Sequence, residues 1–169
     1  MEEALGYFPN IFWTIARNRP IVKAVGAMMD AFWYSDDVDE ETRRLVTFVY
    51  SHYARSHYSS AHCAFGARER VLERAKISEI FDFDWSPICG ERERAILRIC
   101  RNSARILGEV CDEDISTLKA HYGDNTITYI VGLFSMMAFL NKWNELLETT
   151  LEEQPANWSD RKLRTIGWR

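Results

Sequence analysis

Four cysteines occur in this chain, Cys63, Cys89, Cys100 and Cys111, and no two of them lie within ten residues of each other. That spacing leaves no CxxC pair, and with it no zinc knuckle and no local dithiol redox couple. Long apolar runs are equally scarce. The most apolar stretch, Ile127 to Leu140, is interrupted by Thr128 and Ser135 and stops at Asn141-Lys142, too short for a bilayer span. A basic excess is missing as well: 21 Lys and Arg against 25 Asp and Glu give a net charge of −4, which argues against a nucleic-acid surface as the main function. Met1-Glu2-Glu3 lacks the charged and apolar regions of a signal peptide. The expectation is a cytoplasmic protein with free thiols, no membrane partner and no nucleic-acid partner. Alternating strand patterns, internal repeats and low-complexity segments are absent too.

What is present is helical and apolar. Hydrophobic residues make up 47% of the 169 positions and aromatics 13%, ample for one core and one domain. A short helix is expected over Asn10 to Asn18. Pro20 opens a second helix that buries Ile21, Val22, Val25, Met28, Met29, Phe32 and Trp33. Asp39 caps a third, with Glu40 and Glu41 in its first turn. A fourth ends near Ala75, a turn covers Ile77 to Ile80, and a fifth helix runs from Glu91 to Leu107 with Gly108 as its stop. Asp112 or Asp114 starts a sixth, and Asp124 caps the last long one, Asn125 to Thr149. Pro155 ends the packed region. The fold class is therefore all-α, a single-domain bundle of about six to eight helices over 1–155, with 156–169 as a C-terminal tail. That tail carries Arg161, Lys162, Arg164 and Arg169 between Trp158 and Trp168, and packing on a neighbouring subunit is the expected use.

The chemistry concentrates in 52–66, which holds three of the four histidines. On a continuous helix, His52, Ser56, Ser59 and Cys63 share one face, and that face extends the apolar stripe of Leu45, Phe48 and Val49. A stripe that turns polar inside the core marks either a hydrogen-bonded network or a pocket wall. A break near Ser56 to Ser60 is compatible with the serines, which compete for backbone hydrogen bonds. His52, His57 and His62 recur every five residues, about 140° apart around a helix, so one helix cannot converge them on a metal, and no metal site is expected. Cys63 would need a neighbour that lowers its pKa to act as a nucleophile. Tyr53, Tyr58, Trp85 and Trp143 serve equally as pocket wall or core.

The order Tyr7-Phe8-Pro9-Asn10, Glu41-Thr42-Arg43-Arg44-Leu45-Val46, His57-Tyr58-Ser59-Ser60-Ala61-His62, Glu91 to Arg98, and Phe139-Leu140-Asn141-Lys142-Trp143-Asn144 resembles the carboxymuconolactone decarboxylase and alkylhydroperoxidase D-like superfamily. The resemblance spans roughly Tyr7 to Glu152. It implies an all-α fold assembled as trimers or hexamers and, in the peroxidase branch, a CxxC served by a Glu and a His that relay protons. The two cysteine positions fall on Ser56 and Ser59. The family histidine falls on His62 in one register and on Cys63 in the other, and the upstream glutamate falls on Arg44. A serine cannot pass through a sulfenic acid, so dithiol chemistry is not expected.

Three functions follow as expectations. The first is a decarboxylase-like enzyme that acts on a small unsaturated acid, lactone or related molecule by thiol-independent acid–base chemistry, with no cofactor. His62 would be the acid–base group, Ser59, Ser56, Tyr58 and His52 would contact substrate, and Arg44 or Arg55 would hold a carboxylate. The second is a peroxidase using Cys63 alone with an external thiol. The third is a ligand-binding oligomer without catalysis. A homo-oligomer is expected in every case, because the Ile127 to Leu140 helix is apolar around most of its circumference.

Overall fold

The computed structural model describes residues 6–68, 79–87, 89–105 and 109–168. Among them are eight α-helices and no strand. We label them α1 Asn10–Ile15, α2 Arg19–Trp33, α3 Glu40–Tyr53, α4 His57–Ala67, α5 Glu91–Ser103, α6 Asp112–His121, α7 Asp124–Leu146 and α8 Glu153–Lys162. Short 3₁₀ turns cover Ile80–Asp82 and Arg164–Ile166. The expected ends near Ala75 and at Leu107-Gly108, and the first half of the turn from Ile77 to Ile80, lie outside the described residues.

Local chemistry explains the boundaries. Asn18 caps α2 by accepting from the Ile21 N–H at 3.2 Å, and Pro20 sits in the first turn, where no N–H is needed. Asp39 accepts from the Thr42 N–H at 2.7 Å and caps α3. α7 departs from expectation at its start. Gly123 is the N-cap, and Asp124 is already helical, with its charge in the first turn but no side-chain cap.

α3 is the central element, packed against α4, α5 and α7, and α2 packs on α7. Its Val46, Phe48 and Val49 are fully enclosed, as are Ile96 and Leu97 of α5 and Ile130, Leu133 and Met136 of α7. One buried charge fixes the α2–α3 connection. The Arg43 guanidinium donates to the carbonyls of Trp33, Ser35 and Val38 at 2.6, 2.5 and 3.1 Å and to the Tyr129 hydroxyl at 2.9 Å. α7 is not enclosed all round within one chain: Val131, Phe139 and Leu146 are 50%, 38% and 69% exposed.

Two expectations are corrected here. The segment 52–66 is not one helix. α3 stops at Tyr53, Arg55 takes a left-handed φ of 56°, and Ser56 becomes the N-cap of α4, accepting from the Ser59 N–H at 3.4 Å. Serines at a helix start satisfy amides that a continuous helix would have satisfied internally, so the polar face breaks between His52 and Ser59. Nor does Pro155 end the packing. It stands in the first turn of α8, the position in a helix that tolerates proline. α8 then packs on α4 of its own chain, buries Ser159 and Leu163 completely, and brings the Trp168 ring onto His57 at 4.3 Å.

Candidate functional site

A cavity of about 830 Å³ opens between α1, α2, α3, α4 and α7. Its walls are mostly apolar: Ile11, Phe12, Met29, Trp33, Met137 and Leu140. Apolar surface predominates, as in most small-molecule sites, but charged residues line it too, among them Asp30, Asp39, Glu40, Arg43, Arg44 and Arg68. α4 adds two strips of functional groups. Tyr58 and His62 form one, four residues apart and stacked at 4.4 Å. Ser59 and Cys63 form the other, beside Asn144 of α7 and Thr47 of α3, which also line the cavity.

His62 is held from both sides. Its Nδ1 meets the Tyr7 hydroxyl at 2.9 Å, and its Nε2 meets Glu152 Oε2 in a short contact. Glu152 also accepts from the Tyr58 hydroxyl at 2.9 Å and from the Asn10 N–H. Tyr58 in turn accepts from the Ile11 N–H at 3.2 Å. Burial pushes the Glu152 carboxyl upward, but the His62 hydrogen bond and charge and the Asn10 amide outweigh it and leave the pKa below its ordinary value. An ionised Glu152 accepts only, so His62 carries a proton on Nε2, and in the tautomer with that single proton Nδ1 accepts the Tyr7 O–H. Burial, with the Glu152 charge, raises both phenols: Tyr7 and Tyr58 stay protonated. The result is a phenol–imidazole–carboxylate chain, with the carboxylate behind the ring and the ring on the cavity wall.

Cys63 takes no part in it. Burial pushes its thiol up to about 11, against partial compensation from the Thr47 and Ser51 hydroxyls and the Arg44 charge. At neutral pH such a thiol is about one part in ten thousand thiolate. Its nucleophilic use is disfavoured accordingly.

The remaining candidates separate. Ser59 lines the cavity and receives Asn144 Nδ2 at 3.4 Å. Ser56 is spent as the α4 cap. Arg44 lines the cavity with its guanidinium already bonded to Glu40 at 2.9 Å and to the Gly66 carbonyl at 2.9 Å. Arg55 lies exposed at the α3–α4 turn and is not among the cavity residues. His52 is drawn away to Phe81, ring centroids 4.2 Å apart, where burial lowers its pKa. Of the three clustered histidines, only His62 reaches the cavity, and among the described residues no group of three metal-ligating side chains gathers anywhere. Tyr7 and Glu152 escaped sequence reasoning. Each joins His62 only through tertiary structure, across 55 and 90 residues.

Comparison with solved structures places the architecture. A cysteine-to-alanine variant of the debrominase Bmp8 in complex with 2,3,4-tribromopyrrole superposes with a TM-score of 0.88 at 24% identity, over 95% of this chain and 86% of that one. Bmp8 without ligand gives 0.84 at 25% identity over the same shares. The alkylhydroperoxidase AhpD core of an uncharacterised peroxidase-related protein from Ralstonia eutropha JMP134 gives 0.73 at 19% identity, over 91% of this chain and 82% of that one. The chain has the alkylhydroperoxidase D-like fold. No family model matches the sequence, and no curated protein matches it. Within the alkylhydroperoxidase D-like fold, the dithiol positions inferred from sequence carry a capping serine and a cavity serine.

No helix among the described residues is long and apolar enough to cross a membrane.

Proposed function

We propose that this protein is an enzyme acting on a small, unsaturated cyclic molecule by thiol-independent acid–base chemistry at His62. The observation that carries the reading is the Tyr7–His62–Glu152 chain, whose imidazole lines the cavity. Nδ1 is the exchange site. Its partner Tyr7 is a neutral phenol that substrate can replace, whereas Nε2 is committed to Glu152. Proton transfer from substrate to Nδ1 yields an imidazolium, stabilised by the carboxylate behind it, which returns the proton to the product. The paired anion fixes tautomer and ring orientation and needs no proton of its own.

The solved complex of Bmp8 with a brominated pyrrole supports a compact planar ring as the type of ligand. The serines at 56 and 59 favour acid–base over thiol chemistry. Arg44 spends part of its guanidinium on Glu40 and the Gly66 carbonyl, which weakens the case for the carboxylate clamp expected from sequence. The exposed apolar residues Val131, Phe139 and Leu146 on α7 favour a homo-oligomer.

Incubating the protein with unsaturated lactones, lactams and halogenated pyrroles, and following conversion by mass spectrometry, tests the proposal. Conversion lost in His62→Ala and kept in Cys63→Ser is expected. Conversion that survives His62→Ala, or fails only in Cys63→Ser, overturns it.

A further inference from the structure

Helix α1 has no side-chain cap of its own. Pro9, its N-cap, offers no side-chain acceptor, so the first-turn N–H groups find partners elsewhere. Two of them end on the site. The Asn10 N–H donates to Glu152 Oε1, and the Ile11 N–H donates to the Tyr58 hydroxyl at 3.2 Å. Tyr58 passes the second one on, because its own O–H donates to the same Oε1 at 2.9 Å. An ionised carboxylate donates nothing, so this chain runs one way, from amide to phenol to carboxylate. A hydroxyl that accepts one hydrogen bond donates a stronger one.

The two oxygens of Glu152 are thereby divided. Oε1 takes the Asn10 amide and the Tyr58 phenol, and Oε2 is left for His62 Nε2. The Tyr58 ring also lies on the imidazole, with centroids 4.4 Å and planes 27° apart, four residues along α4. Tyr58 lines the cavity, yet its hydroxyl proton is used inside the protein. The substrate contact expected of it from sequence is therefore not what that hydroxyl provides.

These bonds matter at one moment of the proposed cycle. A substrate proton taken by Nδ1 leaves its electron pair on the substrate and makes the ring an imidazolium. An imidazolium readily gives its Nδ1 proton back. Were the Nε2 proton to cross to Oε2, a neutral carboxylic acid and a neutral imidazole would result. That imidazole would hold its one remaining proton, on Nδ1, far more tightly. Donors on Oε1 oppose the crossing, because they stabilise the charged carboxylate. We propose that Tyr58 is a positioning residue: it carries an α1 amide onto Glu152 and so keeps the Nε2 proton on His62, where the Nδ1 proton stays returnable. The inference rests on the proposed acid–base reading for its place in the cycle.

The test follows the Glu152 carboxyl carbon by NMR across pH, on the full chain without substrate. His62 and Tyr58 of α4 and Tyr7 ahead of α1 are the titratable groups set against Glu152, so the His62 ring resonances are recorded in parallel. Tyr58→Phe keeps the ring and removes the bridge, and Glu152 should then ionise about half a pH unit or more higher than in wild type. Replacing Tyr58 by 3-fluorotyrosine keeps the shape and strengthens the donor, so Glu152 should ionise lower. The opposite shifts decide the matter without turnover, and the fluorinated variant stands even if Tyr58→Phe loosens α1. On the panel of lactones, lactams and pyrroles, Tyr58→Phe should lower kcat about tenfold and leave KM nearly unchanged. Added to Glu152→Gln, the same replacement should cost less than about twofold more, because a residue acting through Glu152 has nothing left to act on. A Glu152 titration unmoved by Tyr58→Phe, or raised by 3-fluorotyrosine, overturns the inference. Losses that multiply in the double variant overturn it too, since they mark a direct contact with substrate. Shifted titrations without His62-dependent conversion would sink the acid–base reading alone, and His62-dependent conversion with an unmoved titration would sink this inference alone.

Discussion

The Tyr7 hydroxyl and the His62 imidazole, 55 residues apart in sequence, meet at 2.9 Å, and the opposite ring nitrogen is bound to Glu152. The N-terminal segment, α4 and the start of α8 are therefore joined at one imidazole. Removing the ring should remove the chemistry and spare the fold. For His62→Ala we expect conversion to fall by about 10²–10⁴-fold, the usual worth of a positioned acid–base group, with unchanged far-UV circular dichroism. Tyr7→Phe leaves Nδ1 free for substrate and should cost far less. A Tyr7→Phe loss equal to that of His62→Ala would mean that the phenol, not the imidazole, exchanges the proton.

Glu152 predicts an acid-labile fold. Its folded pKa lies below the ordinary 4.5, so the native state binds fewer protons there than the unfolded chain. The stability it supplies is fully present above about pH 4.5 and is lost as pH falls through the folded value. In urea titrations at several pH values, wild type should weaken on that acid limb and Glu152→Gln should weaken less. A glutamine keeps an acceptor for the Asn10 and Tyr58 donors, but its NH₂ faces the His62 Nε2–H in place of Oε2, so the variant should also be less stable at neutral pH, by about 1–3 kcal/mol. An unchanged acid limb would show that the carboxylate is not held as described.

Thiol reactivity should rank by exposure and charge. Cys111 is exposed and Cys100 is buried, with a thiol raised well above its ordinary value by desolvation. Cys63 lies between them in burial, but its pKa of about 11 holds it protonated. Alkylation at neutral pH, mapped by peptide mass spectrometry, should mark Cys111 first and leave Cys63 and Cys100 unmodified in the folded protein. Rapid labelling of Cys63 would reopen the single-thiol peroxidase reading.

The helices were legible because apolar periodicity and caps are local signals: Asn18 and Pro20, or Asp39 with Glu40 and Glu41, mark their starts within a few residues. His62 and Ser59 were legible because one turn of helix relates them. The face shared by His52 and Cys63 failed, since the left-handed turn at Arg55 depends on how α3 and α4 pack. Tyr7, Glu152 and Asn144 carry no local signal at all. Their roles come from chain segments meeting in space, and a Glu three residues before Pro155 reads as a solvated helix start. The tail misread for the same reason, because α8 and Trp168 find their partners on α4.

Arg43 should be a stability residue with no conservative replacement. Its planar fork serves three carbonyls and the Tyr129 hydroxyl at once, a geometry that a lysine ammonium cannot match. Arg43→Lys and Arg43→Met should each destabilise by about 3 kcal/mol or more in urea denaturation, because acceptors are left buried. A loss below half a kilocalorie would mean that water replaces the guanidinium freely.

Gly132 tests the contact between α2 and α7. A Cβ built there would stand 2.5 Å from the Phe32 ring, and that ring is itself set against Tyr129 at 5.6 Å. Phe32 is also tied by its carbonyl to the Tyr129 hydroxyl, so the backbone cannot move off without breaking the Arg43–Tyr129 arrangement. In an exposed helix interior Gly→Ala would stabilise by about 1 kcal/mol through propensity alone. Here overpacking outweighs that gain, and Gly132→Ala should instead destabilise by about 1–3 kcal/mol. Adding Phe32→Leu to the Ala variant should return part of the loss, because the smaller side chain vacates the space. Equal stability of wild type and Gly132→Ala in urea would show that α2 and α7 sit farther apart than described.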